Sequence, residues 1–310
     1  MKKLFRKRNF NFNFLGIRKI GYSIAFMLLA ISVWALFVKG LNYGVDFEGG
    51  VLVEATSETA VNMDEMRSKL SFLKEVSIQS IGMGDEIKSV LIQTQSEDGG
   101  LSGPALVEKI KSVLGTGYTY DRVETIGPRI GQELKEKSLL ASVLALLAIS
   151  VYIWLRFEWP FAIGCMASLA YNLIVVVGAF ALFGWEFDMI VVAGLLSLAG
   201  YACNDTIVTY DRVRENLQKF RKMDKDALLN KSINETLSRT ILTGVTTLFV
   251  LLVLLFIGGQ TLQGFSISMA LGLVVGTCAS IFLAVPMLRY FDIALVANKG
   301  ETGPYANAEK

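Results

Sequence analysis

Asp205 sits inside an apolar stretch, Met189 to Tyr210, where a carboxylate costs about 2.5 to 3.5 kcal/mol to insert into lipid. A residue kept at that cost moves charge or holds a partner. Ser197, Tyr201 and Asp205 recur at four-residue spacing and share one helix face, with Asn204 and Thr206 flanking the carboxylate. A comparable stripe, Arg239, Thr243, Thr246 and Thr247, lies on the next apolar run. Arg239 stands near the start of its run and Asp205 toward the end of its own. Antiparallel neighbours would hold the two at similar depth, so an ion pair, direct or through water, is expected. The pair has two readings. In one it only fixes helix register; in the other Asp205 carries a proton, and its hold on that proton depends on how near Arg239 stands. The chain has no histidine, so any relay must use carboxylates, hydroxyls, amides and water. Asp211 and Glu215 are expected to be solvated interface residues.

The elements that carry these residues follow from composition. The chain has 310 residues, 53% of them hydrophobic, which points to a membrane protein of several spans. Six apolar runs are long enough to cross a core about 30 Å thick: Ile17 to Val38, Leu139 to Leu155, Phe161 to Phe183, Met189 to Tyr210, Ile241 to Ile257 and Phe265 to Tyr290. Helices are required there, because open strand edges would leave backbone amides unpaired in lipid. Lys2, Lys3, Arg6, Lys7, Arg8, Arg18 and Lys19 precede or open the first run without an acidic residue, which places the N-terminus in the cytoplasm. The first run is long for a signal peptide and no small-residue cleavage site follows it, so it reads as a signal anchor. Trp34, Trp154, Trp159 and Trp185 fall near span ends, as an aromatic belt requires.

The expected organisation is a basic cytoplasmic N-terminus at 1–16, a first transmembrane helix at 17–38, an exported segment at 39–137, five further spans within 138–290, and a cytoplasmic tail at 291–310. Within the bundle, the link 212–238 is amphipathic, with Leu229, Ile233 and Leu237 at four-residue spacing. It is expected to lie on the inner leaflet or to form a docking surface. Gly264, Ser268, Gly272, Gly276, Ser280 and Ala284 form a small-residue ridge on the sixth run. That ridge serves helix packing, within the chain or against a partner.

In the exported segment, strand and helix periodicities alternate. Strands are expected at Val51 to Ala55, Val76 to Ile81, Ile87 to Gln93 and Tyr118 to Val123, with helices at Met63 to Leu73 and Pro104 to Leu114. A turn is expected at Gly82 to Asp85, and Ser102 or Gly103 near the cap of the second helix. The order β-α-β-β-α-β is that of a split ferredoxin-like module. It carries no catalytic triad, no evident pair of catalytic carboxylates and no phosphate loop, so an enzyme is not expected. The cluster Gly44-Val45-Asp46-Phe47-Glu48-Gly49-Gly50 lacks nucleotide-binding spacing and is either a tight turn or a binding or conformational element. The module is expected to hinge there and near Gly127-Pro128. Cys165, Cys203 and Cys278 all lie inside spans, with neither a disulfide framework nor metal-ligand spacing.

Several stretches together resemble the SecF side of the SecD/SecF family of protein-export membrane proteins. They are Gly40 to Gly50, Trp154-Leu155-Arg156-Phe157-Glu158-Trp159, Gly200 to Thr206 running into Asp211 to Asn216, Thr236 to Thr240, and Gly258-Gly259 with Gly264-Phe265 and Gly276-Thr277. The resemblance implies the resistance-nodulation-division (RND) architecture: an α-helical membrane protein whose six transmembrane helices form half of a bundle, with one exported α+β ferredoxin-like domain between helices 1 and 2. It implies a SecD-like six-helix partner, the SecYEG translocon, membrane lipid and unfolded preprotein, with no nucleic acid. The implied activity is proton-driven preprotein translocation across the bacterial inner membrane, both termini cytoplasmic. Proton coupling would fall on Asp205 and Arg239, supported by Tyr201, Asn204, Thr206 and Thr243. The exported-domain motif would be Gly44, Asp46, Phe47, Gly49 and Gly50, and helix packing would use Gly264, Gly272 and Gly276. No cofactor or metal is implied; the coupling ion is the proton, with sodium left open. Tyr171-Asn172 stands where the family commonly has His-Asp, and Ala202 and Cys203 replace a more usual Ser and aliphatic residue, which puts proton stoichiometry in question. Two other readings compete: half of a proton-driven RND small-molecule exporter, against which the single small exported module argues, and a scaffold whose buried pair is only structural.

Overall fold

In chain order the elements are α1 (Arg18–Val38), β1 (Asn42–Tyr43), α2 (Val45–Glu48), β2 (Gly50–Ser57), α3 (Met63–Lys69), β3 (Val76–Ile81), β4 (Ser89–Thr94), α4 (Gly103–Leu114), β5 (Tyr118–Ile126), α5 (Pro128–Arg156), α6 (Trp159–Phe183), β6 (Glu186–Phe187), α7 (Met189–Lys219), α8 (Lys225–Ile257) and α9 (Gly259–Ala279). The structure, a computed structural model, describes residues 11–57, 59–73, 76–81, 88–94, 103–115, 117–291 and 293. The basic residues Lys2 to Arg8, the turn Gly82 to Asp85, Ser102 and nearly all of the tail lie outside the described residues. The chain divides into a helical unit (1–41, 143–185 and 190–310) and a sheet unit (42–142 and 186–189).

Six helices among the described residues are long and apolar enough to cross a membrane: α1, α5, α6, α7, α8 and the run Thr261–Tyr290. The chain is therefore a multi-pass membrane protein. Within the helical unit the run Trp159–Phe183 and the run Thr261–Tyr290 are the most buried, whereas α8 leaves Phe249, Val250 and Phe256 exposed. That division is the one expected of central and lipid-facing helices.

Helical structure extends past three predicted span ends. Pro128, with its backbone pre-set for a first turn, opens α5 eleven residues before the apolar run. On the other side, α7 continues to Lys219 and α8 begins at Lys225, so the stretch 212–238 is two helix extensions joined by a short turn. It is not a separate surface helix: Leu229, Ile233 and Leu237 are buried, and the first two pack with Val213, Leu217 and Leu228 in the unit's own core. Asp224 caps α8 by accepting from the Ala227 amide at 3.1 Å, an arrangement that stabilises a helix start by about 1 kcal/mol.

The sheet unit carries four antiparallel strands in the order β3-β4-β2-β5. Its element order is the β-α-β-β-α-β expected from periodicity. Val51, Val53 and Ala55 of β2 alternate toward α3 and α4, where Met66, Leu70, Leu106 and Ile110 complete a core. Each such fully buried aliphatic side chain stabilises the unit by about 1.5 to 3 kcal/mol. Asn62 caps α3, accepting from the Asp64 and Glu65 amides.

Two features were not legible in the periodicity. Residues 45–48 of the glycine cluster form a helical turn, α2, and β1 pairs in parallel with β6, placing Tyr43 opposite Phe187. The two predicted hinges also meet within this unit. The backbone at Gly49 lies against Pro128, and Gly131 lies against Gly49 and Phe47, a packed junction rather than two free joints.

Candidate functional site

The helical unit brings Asp205 to the seam between α7 and α8. Thr240 donates its hydroxyl to Asp205 Oδ1 at 2.9 Å, while Oδ2 is buried with no hydrogen-bond partner among the described residues. The seam is a polar ladder in antiparallel register. Thr247 meets the Tyr201 hydroxyl at 3.4 Å on one side of Asp205, and Thr209 meets Thr236 at 3.4 Å on the other. Further along, Asn216 Nδ2 donates to Ser232 Oγ at 2.9 Å and to Glu235 Oε2 at 2.8 Å, and Arg212 Nε donates to the same Glu235 oxygen at 2.8 Å. Steps toward the C-terminus on α7 match steps toward the N-terminus on α8, so polar groups of the two helices meet turn after turn.

The expected Asp205–Arg239 ion pair is absent in this conformation. Arg239 precedes Thr240 by one residue and so points about 100° away around α8; it is exposed on the helix surface. Thr243 is exposed and bonds the Arg239 and Thr240 carbonyls of its own helix. Thr206 is buried but bonds the Ala202 carbonyl of α7 at 3.3 Å, and Asn204 is exposed. Of the predicted supporting residues, only Tyr201 joins the seam. Thr240 was missed because it continues no four-residue stripe with Arg239; the signal that could have found it is the antiparallel pairing of Asp205 with the opposite helix. Asp211 and Glu215 sit at the surface in ion pairs with Arg156 and Arg212, contacts that contribute at most about 1 kcal/mol each.

A hydrogen bond to a charged group is worth about 1.5 to 3 kcal/mol. Thr240→Val should therefore lower any transport that runs through Asp205 by about tenfold, whereas Thr240→Ser, which keeps the donor, should retain it. Equal activity of the two variants in a vesicle transport assay would remove Thr240 from the site.

The glycine motif has a separate geometry. Asp46 Oδ2 accepts from the Met189 amide at 3.0 Å, a contact inside the sheet unit. Phe47 is buried beside Tyr43 and Phe187, with ring centroids 6.1 and 6.3 Å away. Gly44 leaves room for Glu186, whose Oε1 would stand 2.6 Å from a Cβ there. Burial, with a smaller contribution from Asp188, pushes the Glu186 carboxyl up from 4.5 to about 7; Arg122 opposes this, while Asp46 and Glu124 add to it.

A carboxyl whose folded value lies above its unfolded one holds its proton longer in the folded state. Its contribution is intact below about pH 4.5 and is lost as pH rises toward 7. Thermal unfolding of the sheet unit should therefore show stability falling by about 1 to 3 kcal/mol across that window. Glu186→Gln should flatten the dependence, and an unchanged slope in that variant would place the titration elsewhere.

The ridge on α9 packs within the chain. Gly272 faces Leu198 of α7, and Gly276 lies against Asn172 of α6 with Ala202 of α7 beyond. Gly264 is half-buried. No group of three His, Cys, Asp or Glu side chains able to hold a metal ion occurs among the described residues.

Comparison with known proteins adds an independent line. Residues 106–293 match the family model described as protein export membrane protein SecD/SecF, C-terminal, and residues 34–61 match the SecD/SecF GG motif. The chain is 38% identical over 288 residues to the protein translocase subunit SecF of Pseudomonas aeruginosa, covering 91% of this chain and 92% of that one. It is 36% identical over 284 residues to the SecF subunit of Rickettsia rickettsii, with the same coverage. Among solved structures it is similar to SecDF, a translocon-associated membrane protein from Thermus thermophilus, with a TM-score of 0.81 and 32% identity over 91% of this chain. A SecDF structure in a super-membrane-facing form matches with a TM-score of 0.66 and 31% identity over 94% of this chain. The chain spans about two fifths of those SecDF chains, 39% and 40%.

Proposed function

The chain belongs to the SecD/SecF family of protein export membrane proteins, on its SecF side, and from that premise we propose that it is one half of a proton-driven export device completed by a SecD-like six-helix subunit. The observation that carries this reading is the Asp205 seam. A membrane-spanning surface that shows the Asn204 amide and the Arg239 guanidinium to the outside would face lipid only by leaving those groups without partners. A second protein half covering it would supply those partners and enclose the carboxylate. The SecDF chains, in which the matching region is only part of the length, are consistent with a partner of that kind.

On this reading Asp205 Oδ2 is the atom that takes up and gives back the proton, Thr240 orients the carboxylate, and Arg239 approaches it in another state of the cycle. The sheet unit, a split ferredoxin-like module by its element and strand order, lies on the exported side and handles the emerging preprotein. Within that unit Asp46 holds the Met189 amide. The coupling is to preprotein translocation beside SecYEG in the bacterial inner membrane, with both termini cytoplasmic and no cofactor. That the relatives are named translocase subunits favours this over a small-molecule exporter half. Replacing Asp205 with Asn tests it: preprotein release and proton conductance should both fall, and unchanged values for both would remove the mechanism.

A further inference from the structure

Asn172 of α6 is fully buried, and neither its Oδ1 nor its Nδ2 has a hydrogen-bond partner among the described residues. Its amide lies against α9: a Cβ built on Gly276 would stand 2.6 Å from Nδ2 and 3.5 Å from Ala202 Cβ of α7. Buried carboxamides are almost always bonded, so a bare one calls for a physical reason.

One turn further along, the helix changes its winding. Ser280–Ala284 is a π-turn, in which the Val285 amide donates to the Ser280 carbonyl five residues back. Pro286 supplies a reason, since it has no N–H to continue the ordinary ladder. The far end of the π-turn is pinned. Tyr210, itself fully buried, donates its hydroxyl to the Ala284 carbonyl at 2.9 Å, and its ring meets Phe161 edge-on at 5.2 Å.

A π-turn fits one more residue into a helix than α-winding does over the same rise. Withdrawing it while Ala284 stays pinned moves the upstream part of α9 away from the pin by one residue. Thr277 then takes the place of Gly276. Its hydroxyl, both donor and acceptor, arrives beside an amide that has neither bond. The first register keeps the π-turn and leaves Asn172 bare; the second relieves the π-turn and bonds Asn172, but it sets Thr277 and Leu273 where Gly276 and Gly272 lay against Asn172 and Leu198, so α6 and α7 must draw back from α9 to admit it.

We propose that α9 is a two-register element and that Asn172 reads its register, against Gly276 in the state described here and against Thr277 in the second state of the transport cycle. The inference rests on the transporter reading above for what drives the change, not for the change itself.

Paired cysteines test it in the membrane-embedded full chain with its native complex, after Cys165, Cys203 and Cys278 have been replaced by alanine. Asn172→Cys with Gly276→Cys should crosslink on oxidation of resting membranes. Asn172→Cys with Thr277→Cys should crosslink weakly at rest and about fivefold or more strongly when a proton gradient is imposed or preprotein is engaged. Absence of the second crosslink at rest, with a gradient and with preprotein, while the first persists throughout, would overturn the proposal. Because crosslinking is read without reference to export, its failure alongside a damaging Asp205→Asn leaves the proton reading standing. An inert Asp205→Asn with a working 172–277 crosslink would do the reverse.

Discussion

Asp205→Asn should abolish the proton-driven component of export while leaving the chain folded. Asparagine has the shape of aspartate, and its Oδ1 can still accept the Thr240 hydroxyl that now reaches Asp205 Oδ1 at 2.9 Å. Stability should therefore change by less than about 1 kcal/mol. What disappears on the proposed mechanism is the capacity to carry a charge in and out of the membrane. Each charge moved across 100 mV releases about 2.3 kcal/mol, enough to shift a two-state equilibrium more than tenfold. Preprotein release that depends on a proton gradient should thus fall by at least about tenfold, and membrane proton conductance should fall with it. Asp205→Glu, with the carboxylate displaced by one methylene, should retain part of both. If Asp205→Asn combined with Arg239→Gln exported preprotein at the normal rate, the polar seam would be only a device for helix register.

The second large effect belongs to Gly49→Ala, through stability. Gly49 adopts φ 75° and ψ 154°, a region open essentially to glycine alone, and other residues there cost about 1 to 3 kcal/mol. A Cβ at this position would also stand 2.6 Å from Pro128 Cα and 2.8 Å from its nitrogen. Those are backbone atoms that open α5, so the clash cannot be relieved by rotating a side chain, and overpacking adds about another 1 to 3 kcal/mol. The total is a large share of the 5 to 15 kcal/mol that holds an ordinary domain together. Limited proteolysis and thermal unfolding should show the sheet unit of Gly49→Ala opening well below the temperature of the parent. Gly127→Ala is the internal control: nothing lies within 4 Å of its Cβ and its φ is not positive, so a change below about 1 kcal/mol is expected. Equal stability of the two variants would sink the packed-junction account of the glycine motif.

What the sequence determined by itself was whatever depends on local periodicity and composition. Apolar length placed six spans, because a membrane helix satisfies its own backbone and needs no distant partner to exist. Alternation and turn residues placed the elements of the sheet unit, and the isolated carboxylate in an apolar run singled out Asp205. Only the tertiary structure decided which residue meets it. One residue step on a helix is a rotation of about 100°, so whether Thr240 or Arg239 faces Asp205 depends on the register between α7 and α8, which no local pattern records. The same holds for the bare amide of Asn172 beside Gly276, for Asp46 bonding the Met189 amide 143 residues away, and for Gly49 pressed on Pro128. In each case the decisive contact joins elements remote in sequence, and burial sets its free energy only after the chain has closed around it.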